Sequence, residues 1–209
     1  MNLTIDARFE DMLKEAANIG SGRAVNSLSL LLDEPVTMKP VQLKIVSFQE
    51  LMSEYGDKEE VMAASLLPFY GDLEGIVYLL FSQDDINALA GSLIGRTVTM
   101  KELETDPYMN SMLMELGNIL SGAYISALAD FTSLNMQTAA PSAAVDMAVS
   151  LWNEGLTYTQ ETQNEVLFLE SEWKSVSLPG GTASGRFLFL PDAPSFQVLL
   201  RRLEEKIND

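Results

Sequence analysis

Positions 6 to 29 of the chain recur at 106 to 129. At an offset of one hundred, Asp6, Met12, Leu13, Glu15, Asn18, Ile19, Ser21, Gly22 and Leu28 each meet the same residue again, where chance at ordinary composition gives roughly one or two such identities. A duplicated unit restricts the fold, because both halves must build the same arrangement. Further on the offset becomes 110: Gly75-Ile-Val-Tyr-Leu-Leu-Phe81 aligns with Gly185-Arg-Phe-Leu-Phe-Leu-Pro191, and Ile86, Leu89, Ala90 and Leu93 align with Phe196, Leu199, Leu200 and Leu203. The extra residues are expected around Trp152 to Asn164. Each half reads as a long helix, several strands and a shorter helix, in a single domain 1–209 with halves of about 1–100 and 101–209.

Start signals support the long helices. Asp6 is placed to cap the first, and Asp106 followed by Pro107 forms the cap and first-turn proline of the second. Val41, Leu43 and Ile45 alternate with polar residues, as do Val166 and Phe168, which is the period of half-buried strands. The apolar runs at 75–81 and 187–190 suit more deeply buried strands. In the first shorter helix Ile86, Leu89, Ala90, Leu93 and Ile94 share one face, Ser82 with Asp85 resembles a capping box, and Gly95 ends it. The expectation is an α+β fold with pseudo-two-fold symmetry, two long helices packed on a central antiparallel sheet that both halves share.

Composition narrows the function. Thirty acidic against thirteen basic residues leave a net charge of −17, which repels a phosphate backbone and excludes a nucleic-acid reader. The chain has neither cysteine nor histidine, so thiolate and imidazole chemistry are absent and the usual zinc ligand sets cannot form. The uncharged stretches Leu116–Ala129 and Phe131–Val145 carry too many polar residues for a membrane span of ~20 apolar positions. The N-terminus lacks the basic-then-apolar pattern of a signal peptide. The expected location is the cytoplasm, without membrane insertion.

The repeated residues are not those a core requires. On the first helix Leu13, Ala17, Ala24, Leu28 and Leu31 form the apolar stripe, while Asp11, Glu15, Asn18 and Gly22 follow at i, i+4, i+7 and i+11 about 200° away. On the second, Leu113, Leu116, Leu120, Tyr124 and Leu128 point inward, and Ser111, Glu115, Asn118 and Gly122 take the opposite stripe. A single exposed Glu-x-x-Asn is ordinary solubility chemistry. Two copies are not, since Asn is a mediocre helix former and Gly costs ~1 kcal/mol in a helix interior relative to Ala. Gly22 and Gly122 admit a close approach by another backbone.

Glu-x-x-Asn on two helices a hundred residues apart, with Asp11 or Ser111 four residues before each Glu, resembles the CheC, CheX and FliY family of phosphatases. The resemblance runs along essentially the whole chain. It is densest from Glu115 to Phe131, and it extends to Pro141 at the family's spacing after Asn118 and to Gly71-Asp-Leu-Glu-Gly75. A length near 209 with no appended module favours the stand-alone CheC type. The first copy departs at three places: Ala17 stands for the glycine before the motif Asn, Arg23 follows Gly22, and Pro40 comes one residue earlier than its counterpart Pro141.

The resemblance implies a pseudo-symmetric fold whose long helices present two sites, and a hydrolase acting on the aspartyl phosphate of the response regulator CheY. It also implies CheD as a second partner. Phosphoryl transfer asks for positioning and charge neutralisation, so Asn18 and Asn118 are assigned to hold the attacking water, with Glu15 and Glu115 as anchors on a regulator cation. No metal or cofactor of the protein's own is expected; Mg2+ belongs to the CheY partner. Asp11, Gly22, Ser111 and Gly122 complete the contact surface. The alternative is a non-catalytic adaptor for phosphorylated CheY or CheD. Gly20-Ser21-Gly22 lacks the spacing and lysine of a P-loop, Asp84-Asp85 is explained by helix capping, and a glycosidase pair of Glu15 and Glu115 lacks an aromatic sugar cleft. Trp152, Tyr158 and Trp173 read as packing residues, the methionines as gap-fillers, and Asp57–Glu60 as solvated loop.

Overall fold

The structure is a computed structural model that describes residues 7–47, 49–50, 53, 60–159, 165–175, 178 and 181–208. The first half supplies α1 (Ala7–Leu32), β1 (Thr37–Met38), β2 (Gln42–Ser47), β3 (Val61–Gly71), β4 (Gly75–Phe81) and α2 (Gln83–Ile94). A short helix α3 (Met100–Thr105) leads into the second half, α4 (Pro107–Thr132), β5 (Met136–Thr138), β6 (Ser142–Met147), α5 (Ala148–Thr159), β7 (Glu165–Lys174), β8 (Thr182–Pro191) and α6 (Ala193–Asn208). Helices α1 and α4 are both 26 residues long and begin one hundred residues apart, as the repeat requires. Helices α3 and α5 have no counterpart in the sequence expectation.

The sheet is antiparallel and runs β1-β7-β8-β4-β3-β5, with β2 also on β7 and β6 also on β3. Its two central strands are one from each half, paired from Gly75↔Pro191 to Leu80↔Arg186. Its outer pairings cross between halves: β2 lies on β7 from Gln42↔Glu170 to Ser47↔Glu165, and β6 lies on β3 from Ser142↔Leu66 to Val61↔Met147. Neither half therefore owns a complete sheet.

Both faces of the sheet are covered, which is why β4 and β8 read as unbroken apolar runs. Ala63, Leu67, Val77, Leu79, Phe81, Leu167, Leu169, Phe187 and Phe189 turn one face toward α1, α2, α4 and α6. Met62, Leu66, Ile76, Tyr78, Leu80, Phe168 and Leu188 turn the other toward Ala148 and Leu151 of α5. Trp173 is fully buried in the first layer, 6.3 Å edge-on from Phe187, and Tyr124 of α4 packs 4.5 Å from the same ring. The packing role expected of Trp173 holds; the side chains of Trp152 and Tyr158 lie outside the described residues, as do Asp6 and residues 57–59.

Caps fix where the helices start and stop. The Asp106 carboxylate accepts the Tyr108 N–H at 2.9 Å with Pro107 in the first turn, and Thr99 with Glu102 forms a reciprocal capping box on α3. On α2, Ser82 accepts the Asp85 N–H and Gly95 ends the helix at φ 70°. Asp85, however, does not complete a box: its carboxylate accepts the Ser82 hydroxyl at 2.5 Å and the Ser184 N–H at 2.7 Å, tying α2 to β8 instead.

Three sequence expectations change. Leu31 is 38% exposed beside Leu30 at 83%, and in the last turn of α1 it is Leu32, four residues after buried Leu28, that packs against the core. The ten extra residues of the second half do not all fall near Trp152 to Asn164. Gly75 pairs with Phe69 and its counterpart Gly185 pairs with Ser171, an offset of 110 on one strand and 102 on the other, so two of the extra residues precede β7 and eight lengthen the β7–β8 hairpin, whose pairing continues to Lys174↔Thr182. Third, α4 is apolar and long enough to cross a membrane by composition, with a mean hydropathy of 1.3 over eighteen residues. Half of that window is buried inside the fold, against α1 and β3.

Candidate functional site

The long helices expose the repeated polar stripe on both copies. Asp11, Glu15, Asn18 and Gly22 are exposed on α1, and Ser111, Glu115 and Asn118 are exposed on α4 with Gly122 half-buried. Opposite them Leu13, Ala17, Ala24 and Leu28, and Leu113, Leu116, Leu120 and Leu128, are buried in the core. Each of these six leucines contributes about 1.5–3 kcal/mol of burial, so the rotation of each helix, and with it the outward direction of Glu and Asn, is set from beneath.

None of the hydrogen bonds or ion pairs among the described residues engages the side chains of Glu15, Asn18, Glu115 or Asn118. Two carboxylates and two carboxamides are thus available to a partner. Ser111 differs: its hydroxyl donates to the Pro107 carbonyl one turn back at 2.8 Å, where Asp11 carries a charge. Among the described residues no three or more carboxylates converge as ligands of a metal would.

The glycines divide into two kinds. A Cβ on Gly117, directly before Asn118, would lie 1.8 Å from the Ser65 Oγ and 2.2 Å from its Cβ, so only glycine lets α4 sit this close to β3. A Cβ on Gly20 would lie 2.9 Å from the Tyr124 Cα, which marks the close crossing of α1 over α4. At Gly22 and Gly122 a Cβ would meet nothing within 4 Å, so internal packing gives no reason for either.

Comparisons with known proteins identify the family. A family model for the chemotaxis phosphatase CheX matches residues 63–159. The CheY-P phosphatase CheC of Bacillus subtilis (strain 168) is 30% identical over 190 residues, covering 90% of each chain. The chain belongs to the CheC/CheX/FliY family of chemotaxis phosphatases. The fold agrees: the crystal structure of Thermotoga maritima FliY superposes with a TM-score of 0.75 at 17% identity, covering 97% of this chain and 99% of that one. The FliM middle domain from H. pylori follows with a TM-score of 0.60 at 7% identity over 95% and 99%.

Within this CheC-type framework the two copies are not equivalent. Ala17 is buried among Leu13, Leu169 and Phe189, on an apolar cavity of about 50 Å³, a position where α1 has no Ser65 to meet. Arg23 crosses to α4 and donates to Ser126 at 2.9 Å and to Asp130 at 2.6 Å, tying the outer faces of the two helices together. Beneath them the Tyr124 hydroxyl shares a 2.7 Å hydrogen bond with Ser171. Burial pushes the Tyr124 phenol up to about 12, with the hydroxyls of Ser171 and Ser21 acting the other way.

Sequence reasoning missed the contacts of Gly117, Gly20 and Arg23, which join segments 52, 104 and 103 residues apart. It also passed over Tyr108, which is 66% exposed at the head of the α4 stripe. Its signal was the seven-residue spacing to Glu115.

Proposed function

We infer that this protein is a CheY-P phosphatase of the CheC type, a hydrolase that returns a phosphorylated CheY-type response regulator to its unphosphorylated form. The observation that carries the reading is its 30% identity, over 90% of each chain, to a CheY-P phosphatase. Water attacks phosphorus, the bond between phosphorus and the regulator's aspartyl oxygen breaks, and carboxylate and inorganic phosphate leave.

Asn18 and Asn118 are proposed to hold that water in line, since a carboxamide both donates to and accepts from it and the transition state is met by positioning more than by covalent help. Glu15 and Glu115, one turn earlier, pair with a lysine or arginine of the regulator and set the register. Asp11, Gly22, Ser111 and Gly122 border the contact. The cation that neutralises the phosphoryl oxygens is the regulator's own Mg2+, so the reacting centre is complete only in the complex. CheD as a second partner and a cytoplasmic location follow from the family resemblance.

The test is the dephosphorylation rate of a phosphorylated CheY-type regulator with wild type, Asn18→Ala, Asn118→Ala and the double variant. The double variant is expected to lose the acceleration while retaining binding, and the single variants rank the two sites. Wild type that binds without accelerating hydrolysis would leave the adaptor in place of the enzyme.

A further inference from the structure

We propose that Tyr108 is an aromatic docking residue of the second site, an anchor for the phosphorylated regulator that the first site lacks. The inference rests on the phosphatase reading above and assigns one more contact to it. Tyr108 is 66% exposed, the most exposed aromatic ring among the described residues, and a tyrosine combines an apolar ring with a polar tip, the make-up of residues enriched at interfaces. It precedes Glu115 by seven residues and Gly122 by fourteen, which on a helix returns to within about 40° of the same bearing. Tyr108, Glu115, Asn118 and Gly122 thus share one stripe, with the ring about 10 Å from Glu115 and about 15 Å from Asn118 along the axis at ~1.5 Å per residue.

The backbone that carries the ring is fixed before any partner arrives. Pro107 fixes the first turn of α4, the Tyr108 N–H is bonded to the Asp106 carboxylate at 2.9 Å, and the Asp106 N–H is bonded back to the Glu102 carbonyl at 2.8 Å. An aromatic on a capped helix start loses little freedom on binding, which is what makes such residues energetic centres of interfaces. At the other end of the stripe Gly122 offers backbone with open space above it. One continuous surface therefore presents an apolar ring, a carboxylate, a carboxamide and a bare backbone, and it suits a receiver domain with an apolar patch beside a basic residue and its phosphorylated aspartate. One hundred residues earlier the place of Tyr108 is taken by Arg8, so the first site has no aromatic ring at that position.

The experiment uses the full chain and the phosphorylated CheY-type regulator, with each site read alone: Asn18→Ala leaves the second, Asn118→Ala the first. In the Asn18→Ala background Tyr108→Ala is expected to raise KM about tenfold with kcat held within about twofold, the loss of one interfacial aromatic, while Tyr108→Phe stays near the parent. In the Asn118→Ala background the KM shift is expected to be absent. An unchanged KM in the first background, or an equal rise in both, overturns the assignment, the second pattern marking a general effect on the fold. Thermal unfolding of Tyr108→Ala checks that point separately. If wild type hydrolyses nothing, the phosphatase reading fails and the docking role falls with it, whereas retained hydrolysis with no Tyr108 effect removes the docking role alone.

Discussion

Replacing each of two α4 glycines by alanine is expected to move stability in opposite directions. At Gly122 nothing lies within 4 Å of the new Cβ, so the variant gains the full helix-propensity difference of ~1 kcal/mol. At Gly117 the same methyl lands 1.8 Å from the Ser65 Oγ and 2.2 Å from its Cβ. Ser65 is fully buried on β3, between β4 and β6, and rotation of its hydroxyl does not remove the Cβ overlap. Helix α4 must lift from the sheet, at the cost of about 1–3 kcal/mol or more typical of overpacking. An overlap this deep lies in the upper part of that range, about 2–3 kcal/mol, so after the propensity gain Gly117→Ala is left less stable by about 1–2 kcal/mol. For a chain of this size that separates the two variants by roughly 4–12 °C in Tm, Gly122→Ala above wild type and Gly117→Ala below. Thermal unfolding followed by far-UV circular dichroism reads both. The lift also moves Asn118, so Gly117→Ala is expected to slow hydrolysis at the second site, and Gly122→Ala to weaken regulator binding despite its higher Tm. A Gly117→Ala protein as stable as Gly122→Ala would refute the claim that Ser65 sets the height of the helix.

Three further outcomes follow from geometry already given. Arg23→Ala removes two exposed contacts to Ser126 and Asp130 and is expected to cost under about 1 kcal/mol, a loss that shrinks as salt is raised; urea unfolding at two ionic strengths measures it. Tyr124 ionises near 12 in the fold against 10 in the open chain, so the unfolded state sheds its proton first and stability falls as pH climbs from 10 to 12, by on the order of 2 kcal/mol. Tyr124→Phe is expected to flatten that part of the alkaline unfolding curve. Trp173→Ala empties a site with no exposure and is expected to cost about 3–5 kcal/mol with loss of the near-UV signal from the aromatic layer.

The parts of this fold that were legible in the sequence are those written locally. Apolar spacing on α1 and α4 showed which face turns inward, and that alone placed Glu15, Asn18, Glu115 and Asn118 outside. Asp106-Pro107 and Gly95 marked ends because caps act within one turn. What was not legible depends on partners distant in sequence. The three-residue spacing of Ser82 and Asp85 reads as a capping box, yet the Asp85 carboxylate answers Ser184. Leu31 has the spacing of an inward residue, three after Leu28, and nothing local says that Leu32, one place on, takes the core instead. Gly117 carries no sign of Ser65, and the position of the extra residues depends on how far the β7–β8 ladder continues.

The exchange of strands across the sheet also governs how the chain is made. Strand β2 waits for β7, and β3 waits for β6, so the first hundred residues leave the ribosome with their apolar edges unmatched. At ~5–20 residues per second the interval between synthesis of β2 and of its partner is roughly 6–25 s, far longer than local helix formation. The high sequence separation of these pairings favours a slow, late and concerted collapse. A fragment cut between the halves would expose on each piece the edge the other should cover, and two such pieces mixed together are expected to recombine, as a strand-exchanged dimer written here into one chain.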